Sequence, residues 1–336
     1  VIGLVLAAAG AAAFWVPQQS GSSAELRGLA VLDAQHAWAS GSGGTVLRTQ
    51  DGQTWERLAV PGGEELDFRD VEALSADRVV LMAAGPGDRS RIYRSADGGR
   101  AWTLAHINPD KDGFYDAIAF WDERNGIVMG DPVGGRFVVR VTEDGGATWT
   151  APPGLAIPEA LAGEGAFAAS GTCLFALPRG RDAWFVTGGA KVARVFHTSD
   201  RGKTWAAAEA PVPTGNASSG LFSVAFFDAR RGFAVGGDYR QPGFAGLNGA
   251  RTEDGGATWM PAPVAATGFY SAVAPVPGSG GELVAVGLAG TAASRDGGRS
   301  WTVLDAMPLN AVAFAAPGTG RAVGPGGAIV RYRGSE

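Results

Sequence analysis

Short apolar runs of roughly four to eight residues, alternating with small or polar positions and closed by glycine-rich turns, recur along the whole chain. They fall into classes that return in a fixed order. The first class reads LRGLAVLD (26–33), FRDVEAL (68–74), YDAIAFWD (115–122), FSVAFFD (222–228), YSAVAPV (270–276) and NAVAFAA (310–316). The second ends in glycine: AWASG (37–41), GIVMG (126–130), WFVTGG (184–189), GFAVGG (232–237), LVAVG (283–287) and RAVG (321–324). A third, such as TVLRT (45–49) and FVVRV (137–141), leads into a polar turn followed by one more strand. An alternation of period two over such lengths predicts half-buried β-strands, and four of them in series make one sheet.

The polar turn is the most regular feature. It appears as TQDGQTW (49–55), SADGGRAW (95–102), TEDGGATW (142–149), TSDRGKTW (198–205), TEDGGATW (252–259) and SRDGGRSW (294–301). The aspartates are Asp51, Asp97, Asp144, Asp200, Asp254 and Asp296, spaced 42 to 56 residues apart. That period suits one four-stranded blade of a propeller. Each residue type has a physical task. The carboxylate accepts from backbone N–H groups of the turn. Glycine allows positive φ where the chain reverses. Tryptophan buries a large ring against a neighbouring sheet. Six even copies argue for structure, since one active site has no use for six aspartates. The first copy is one residue shorter, so its turn is expected to differ.

The repeats number seven. Residues 309–333 carry the first three strands again, but no seventh turn follows. Trp15, in FWVPQQSG, precedes the first blade and matches none of the six turn tryptophans. Residues 14–20 are therefore expected to supply the outer strand of blade seven and close the ring, leaving no free edge. The expected fold is all-β: one seven-bladed propeller of four-stranded blades over 14–336. Residues 1–13, VIGLVLAAAGAAA, read as the remnant of a signal peptide, apolar and ending in small residues. They are too short to span a bilayer. Export to the periplasm or beyond is expected, without a stable membrane anchor.

Composition narrows the function. The 53 glycines and 19 prolines fit many tight turns. A net charge of −5 and the absence of a basic run give no nucleic-acid footprint. One cysteine, Cys173, rules out an internal disulfide. The three histidines, His36, His106 and His197, have no ligand spacing, so neither a metal site nor a cofactor is expected. The chain is expected to be a monomer.

These residues carry a resemblance. The six turns resemble the bacterial neuraminidase repeat, or Asp-box. The unit VAF…GFAVG…I.RT.DGG.TW resembles the photosystem II stability/assembly factor-like family of WD40/YVTN/BNR-type propellers, from about Phe14 to Arg333. FYDAIAFWDERNGIVMGDPVGGRF (114–137), FAASGTCL (167–174) and GGDYRQP (236–242) are similar to an exported bacterial branch of it. The resemblance implies a non-catalytic assembly factor, hence here a binding or assembly scaffold whose partner is another protein or a small polar or glycan ligand. Fold alone does not fix function. The alternative is a glycan hydrolase or lyase, because sialidases share the turn motif. The usual early arginine motif is missing, Phe68-Arg69-Asp70 being the nearest string, and Asp70 and Asp116 stand as the candidate carboxylate pair.

A site is expected on the face opposite the aspartate turns. Aligning the inner strands places Arg27, Arg69, Asp116, Phe222, Ser271 and Asn310 at equivalent positions by the central mouth, with Ser170 as the blade-four counterpart. A shift of one residue would bring Tyr115 and Tyr270 there instead. On the same face fall Asp131 and the long loop opening with Asp238, Tyr239 and Arg240. Long loops on a rigid scaffold concentrate binding. Asp131 and Asp238 equally suit turn caps after glycine.

Overall fold

Alternating side chains put one face of each strand into the gap between neighbouring sheets, and successive hairpins keep those sheets antiparallel. The structure, a computed structural model, describes residues 14–243, 246–265 and 268–333. Residues 1–13, read above as a signal remnant, lie outside them.

The described chain starts at β1 (Trp15–Gln18), whose partner lies at the other end of the sequence. Blade one follows as β2 (Leu26–Val31), β3 (Ala37–Gly41), β4 (Thr45–Thr49) and β5 (Glu56–Leu58). Blade two is β6 (Asp67–Ala73), β7 (Val79–Ala84), β8 (Arg91–Ser95) and β9 (Thr103–Ile107). Blade three is β10 (Tyr115–Phe120), β11 (Gly126–Val133) and β12 (Arg136–Thr142). Blade four is β13 (Leu174–Ala176), β14 (Ala183–Val186), β15 (Ala193–Thr198) and β16 (Ala206–Ala210). Blade five is β17 (Ser219–Phe226), β18 (Gly232–Asp238), β19 (Gly249–Thr252) and β20 (Met260–Pro261). Blade six is β21 (Ala272–Pro275), β22 (Leu283–Gly287), β23 (Gly290–Ser294) and β24 (Thr302–Asp305). Blade seven is β25 (Ala311–Ala316), β26 (Thr319–Val323) and β27 (Ile329–Tyr332), completed by β1 in the register Trp15 opposite Tyr332 and Gln18 opposite Ile329.

Seven blades therefore form the ring, and its closure is the one expected from Trp15. Blade three departs from four full strands. Its outer position is held only by a bridge between Val141 and Thr150. Continuing that register would set Pro152 opposite Val139, and proline has no N–H for the ladder.

The aspartate turns show why their residue types recur. In blade three, Asp144 Oδ1 accepts from the Thr142 hydroxyl at 2.8 Å and from Thr148 N at 2.9 Å. Gly146 N in turn donates to Thr142 Oγ1 at 2.9 Å. The pattern repeats around Asp200, Asp254 and Asp296. In the short first copy Asp51 Oδ1 reaches Thr54 N three residues on, where the longer turns reach four.

Each turn tryptophan packs against the preceding blade. Trp149 shares a buried cluster with Val80 and Met82 of blade two, and Trp301 lies 5.1 Å from the Phe233 ring of blade five. Trp15 takes that place for blade seven, packed with Val284 and Val286 of blade six. Such burial of aromatic surface is the main force between blades. The last blade is also tied to the first. Buried Arg321 donates to Gln18 Oε1, Gly52 O and Ala34 O at 2.9, 3.2 and 2.9 Å.

Candidate functional site

Four inner strands carry a β-bulge near their start. The ladder skips Arg27 in β2, Arg69 in β6, Asp116 in β10 and Phe222 in β17. A bulge leaves one residue unpaired and re-aims its side chain. All four side chains line one cavity of 510 Å3 at the central mouth. Blades one to three supply its charged side, with Arg27, Arg69, Asp116 and Asp131. Blades five and six supply an aromatic and apolar wall of Phe222, Tyr239, Phe269 and Leu288.

The two tyrosines next to bulge positions point elsewhere. Tyr115 Oη lies 2.9 Å from His106 Nε2 and accepts from Arg140 Nε at 3.2 Å, in the seam between blades two and three. Tyr270 is buried in a cluster with Phe233, Val235 and Leu283. Neither lines the mouth cavity.

A segment of the chain itself crosses the mouth. Blade four begins its inner strand only at Leu174, and the residues before it, from Gly165 to Gly171, run past the bulge side chains. Arg69 Nη1 donates to Ala168 O at 3.1 Å, and Arg27 Nη1 to Ala169 O at 3.2 Å. Ala166 N donates to Asp131 Oδ1 at 3.0 Å. Phe167 stacks on Phe222 with ring centroids 3.9 Å apart and planes 11° from parallel. Ser170 Oγ donates to Ser271 O at 2.9 Å. The seam continues as Ser271 Oγ donates to Asn310 O at 2.7 Å and Asn310 Nδ2 donates to Leu26 O at 2.9 Å. Ser170, Ser271 and Asn310 therefore hold the ring together near its axis.

Charge at the site is held under tension. Burial, then Arg69 beside it, lowers the pKa of Arg27, while Glu25 works the other way. Burial and the neighbouring Asp131 push the Asp116 carboxyl well above the usual carboxylate range. Asp116 Oδ2 is buried without a hydrogen-bonding partner. Burial also raises Asp131. Beneath them Asp70 is buried, and its carboxylate accepts from Val71 N at 2.9 Å and Ile118 N at 2.8 Å, stitching blade two to blade three. Asp70 does not line the cavity, so it and Asp116 do not face a common substrate space. Cys173 is a free, buried thiol. Among the described residues, no cluster of three or more His, Cys, Asp and Glu side chains is placed to hold a metal ion.

The loop after β18 divides its residues. Asp238 caps its own turn, accepting from Arg240 N at 2.9 Å, and lies outside the mouth cavity. Tyr239 stands exposed at the rim, edge-on to Phe222 at 6.1 Å, with the Arg240 guanidinium over its ring at 5.9 Å. Asp131 differs from Asp238: its carboxylate holds the crossing segment at Ala166 N. Sequence reasoning missed Phe167, Ala168, Ala169 and Phe269. The string FAASGTCL was a signal for the first three, but nothing in it marks a mouth position.

No protein-family model matches the chain, and no curated protein sequence matches it. Solved structures do. One, described as YCF48 bound to D1 peptide, is 18% identical over 97% of this chain and 98% of its own, with a TM-score of 0.67. Another, YCF48 from Cyanidioschyzon merolae, is 19% identical over 96% of this chain and 99% of its own, with a TM-score of 0.66. At that identity the shared property is architecture, and the chain has the seven-bladed propeller fold of the YCF48 structures along nearly its whole length.

Proposed function

We propose that the protein is a binding or assembly scaffold whose central mouth holds an extended segment of another protein. The observation that carries this is the two-sided cavity of 510 Å3, with Arg27 and Arg69 on one side and Phe222 and Phe269 on the other. A polypeptide offers both kinds of group at once. Its carbonyls and carboxylates suit guanidinium donors, and its apolar side chains suit an aromatic wall. The structural similarity to a propeller described as bound to a peptide supports the same class of partner. The six aspartate turns are read as Asp-boxes with a purely structural role, and residues 1–13 as an export signal that places the encounter outside the cytoplasm.

The test is affinity capture from the native host with wild-type protein and with the Arg27→Ala/Arg69→Ala double variant. Loss of a captured protein from the variant supports the reading. Identical partner lists would sink it.

A further inference from the structure

Every polar group that the charged side of the mouth offers to the crossing segment meets its backbone or lies beside it. Arg69 and Arg27 bind two successive carbonyls, of Ala168 and Ala169, and Asp131 binds the N–H of Ala166. The Asp116 carboxyl is influenced by the N–H of Ala168. Two residues use their side chains, Phe167 as a plate against Phe222 and Ser170 through its bond to Ser271 O. This is how a groove holds an extended peptide of small residues around one aromatic anchor.

Three further features distinguish the segment from ordinary blade structure. Gly165 is still bridged to Gly188, but the residues after it are withdrawn from the ladder, leaving β13 only three residues long, where the other inner strands have four to eight. Glycine stands at both ends, Gly165 and Gly171, and Gly171 has φ +74°. The upstream end is fixed: buried Glu164 is ion-paired with Arg194 and accepts from Thr187 Oγ1 at 2.6 Å. The segment is thus anchored at its base and turns on glycine. One polar atom is also left unsatisfied, Asp116 Oδ2, buried in the wall of the cavity. A buried polar atom without a partner is costly, and a backbone polar group of a second polypeptide would relieve it.

We infer that residues 165–171 form a strap that occupies the mouth as a built-in ligand, and that the external partner is an extended polypeptide with an aromatic anchor that displaces it and takes over its backbone hydrogen bonds. This rests on the mouth being the binding site. It adds the recognition mode, main-chain capture plus one aromatic plate, and a competition that weakens binding until the strap leaves.

The probe is the strap itself, an acetylated and amidated fluorescent peptide Gly-Ala-Phe-Ala-Ala-Ser-Gly, added to the full chain. Phe167→Ala removes the plate from the resident strap and should raise affinity for the probe at least tenfold over wild type. A probe with glycine in place of its phenylalanine should bind neither protein. If Phe167→Ala does not fold, Ser170→Ala, which loses the bond to Ser271 O, loosens the strap and serves in its place. Equal affinity for the variant and wild type, or no binding to either folded variant, would overturn the strap as a displaceable ligand. If arginine-dependent capture from the host persists in that case, the mouth remains the binding site and the strap is a fixed wall. If capture is independent of Arg27 and Arg69, the mouth itself fails.

Discussion

The indole N–H of Trp15 donates to the hydroxyl of Thr291 at 2.9 Å, joining the first described strand to blade six across 276 positions of sequence. The ring is thus closed by a hydrogen bond as well as by the β1–β27 ladder. Trp15→Ala removes that bond and a ring buried among Val284, Val286 and Tyr332. A buried tryptophan cut to alanine costs about 3–5 kcal/mol. The denaturant midpoint should fall accordingly, and an unchanged midpoint would show the closure to be dispensable.

Asp254 tests the structural role of the aspartate turns. Its bonds to the Thr258 hydroxyl and amide hold its carboxyl down to about 2. Depression of this kind contributes stability that is present above the ordinary 3.8 and is lost as pH falls through 2. Asp254→Ala should cost on the order of 1 kcal/mol near neutral pH. Partner capture should not change, because the turn lies on the face away from the mouth. Loss of capture with an unaltered melt would contradict that assignment.

Glu72 should act in the opposite direction. Burial pushes its carboxyl from 4.5 up to about 8, so the folded protein holds this proton more tightly than the unfolded chain. The resulting stabilisation is complete below 4.5 and is lost as pH rises through 8. Glu72→Gln keeps the neutral shape without the titration. Urea midpoints taken across that window should decline less steeply in the variant than in wild type. Parallel declines would mean that Glu72 does not titrate there.

Gly171 closes the strap in the left-handed region. A Cβ there would sit 2.3 Å from Asp70 Oδ1. Gly171→Ala should therefore destabilise the fold by roughly 1–3 kcal/mol. It should also speed hydrogen exchange at the Ala166 and Ala168 amides, which hydrogen-exchange mass spectrometry reads directly. A variant as stable and as protected as wild type would show that the turn tolerates a side chain.

The blades and their closure were legible because both are patterns of side chains. Alternation names a strand, the aspartate turn names the hairpin, and an unmatched Trp15 beside a missing seventh turn names the closure. The mouth was partly legible. Equivalent positions in the repeat pointed to Arg27, Arg69, Asp116 and Phe222, which the structure shows to be bulge residues of their inner strands. Tyr115 and Tyr270 carried the same weight in sequence, and the half-turn of one strand residue sends both between blades.

What the sequence by itself determined is the ring: repeat period and strand alternation leave seven sheets no other way to bury their faces. What only the tertiary structure decided is how the mouth is filled. The strap residues Ala166 to Ala169 carry no charge and nothing that marks a mouth position, and they are held through their carbonyls and amides, which every sequence possesses. Their role comes from where blade four leaves its ladder and which bulge side chains converge on that backbone. Blade three shows the same division. Pro152 can be read as a strand breaker, but the loss of an outer strand follows only from its falling two residues past the Val141–Thr150 bridge.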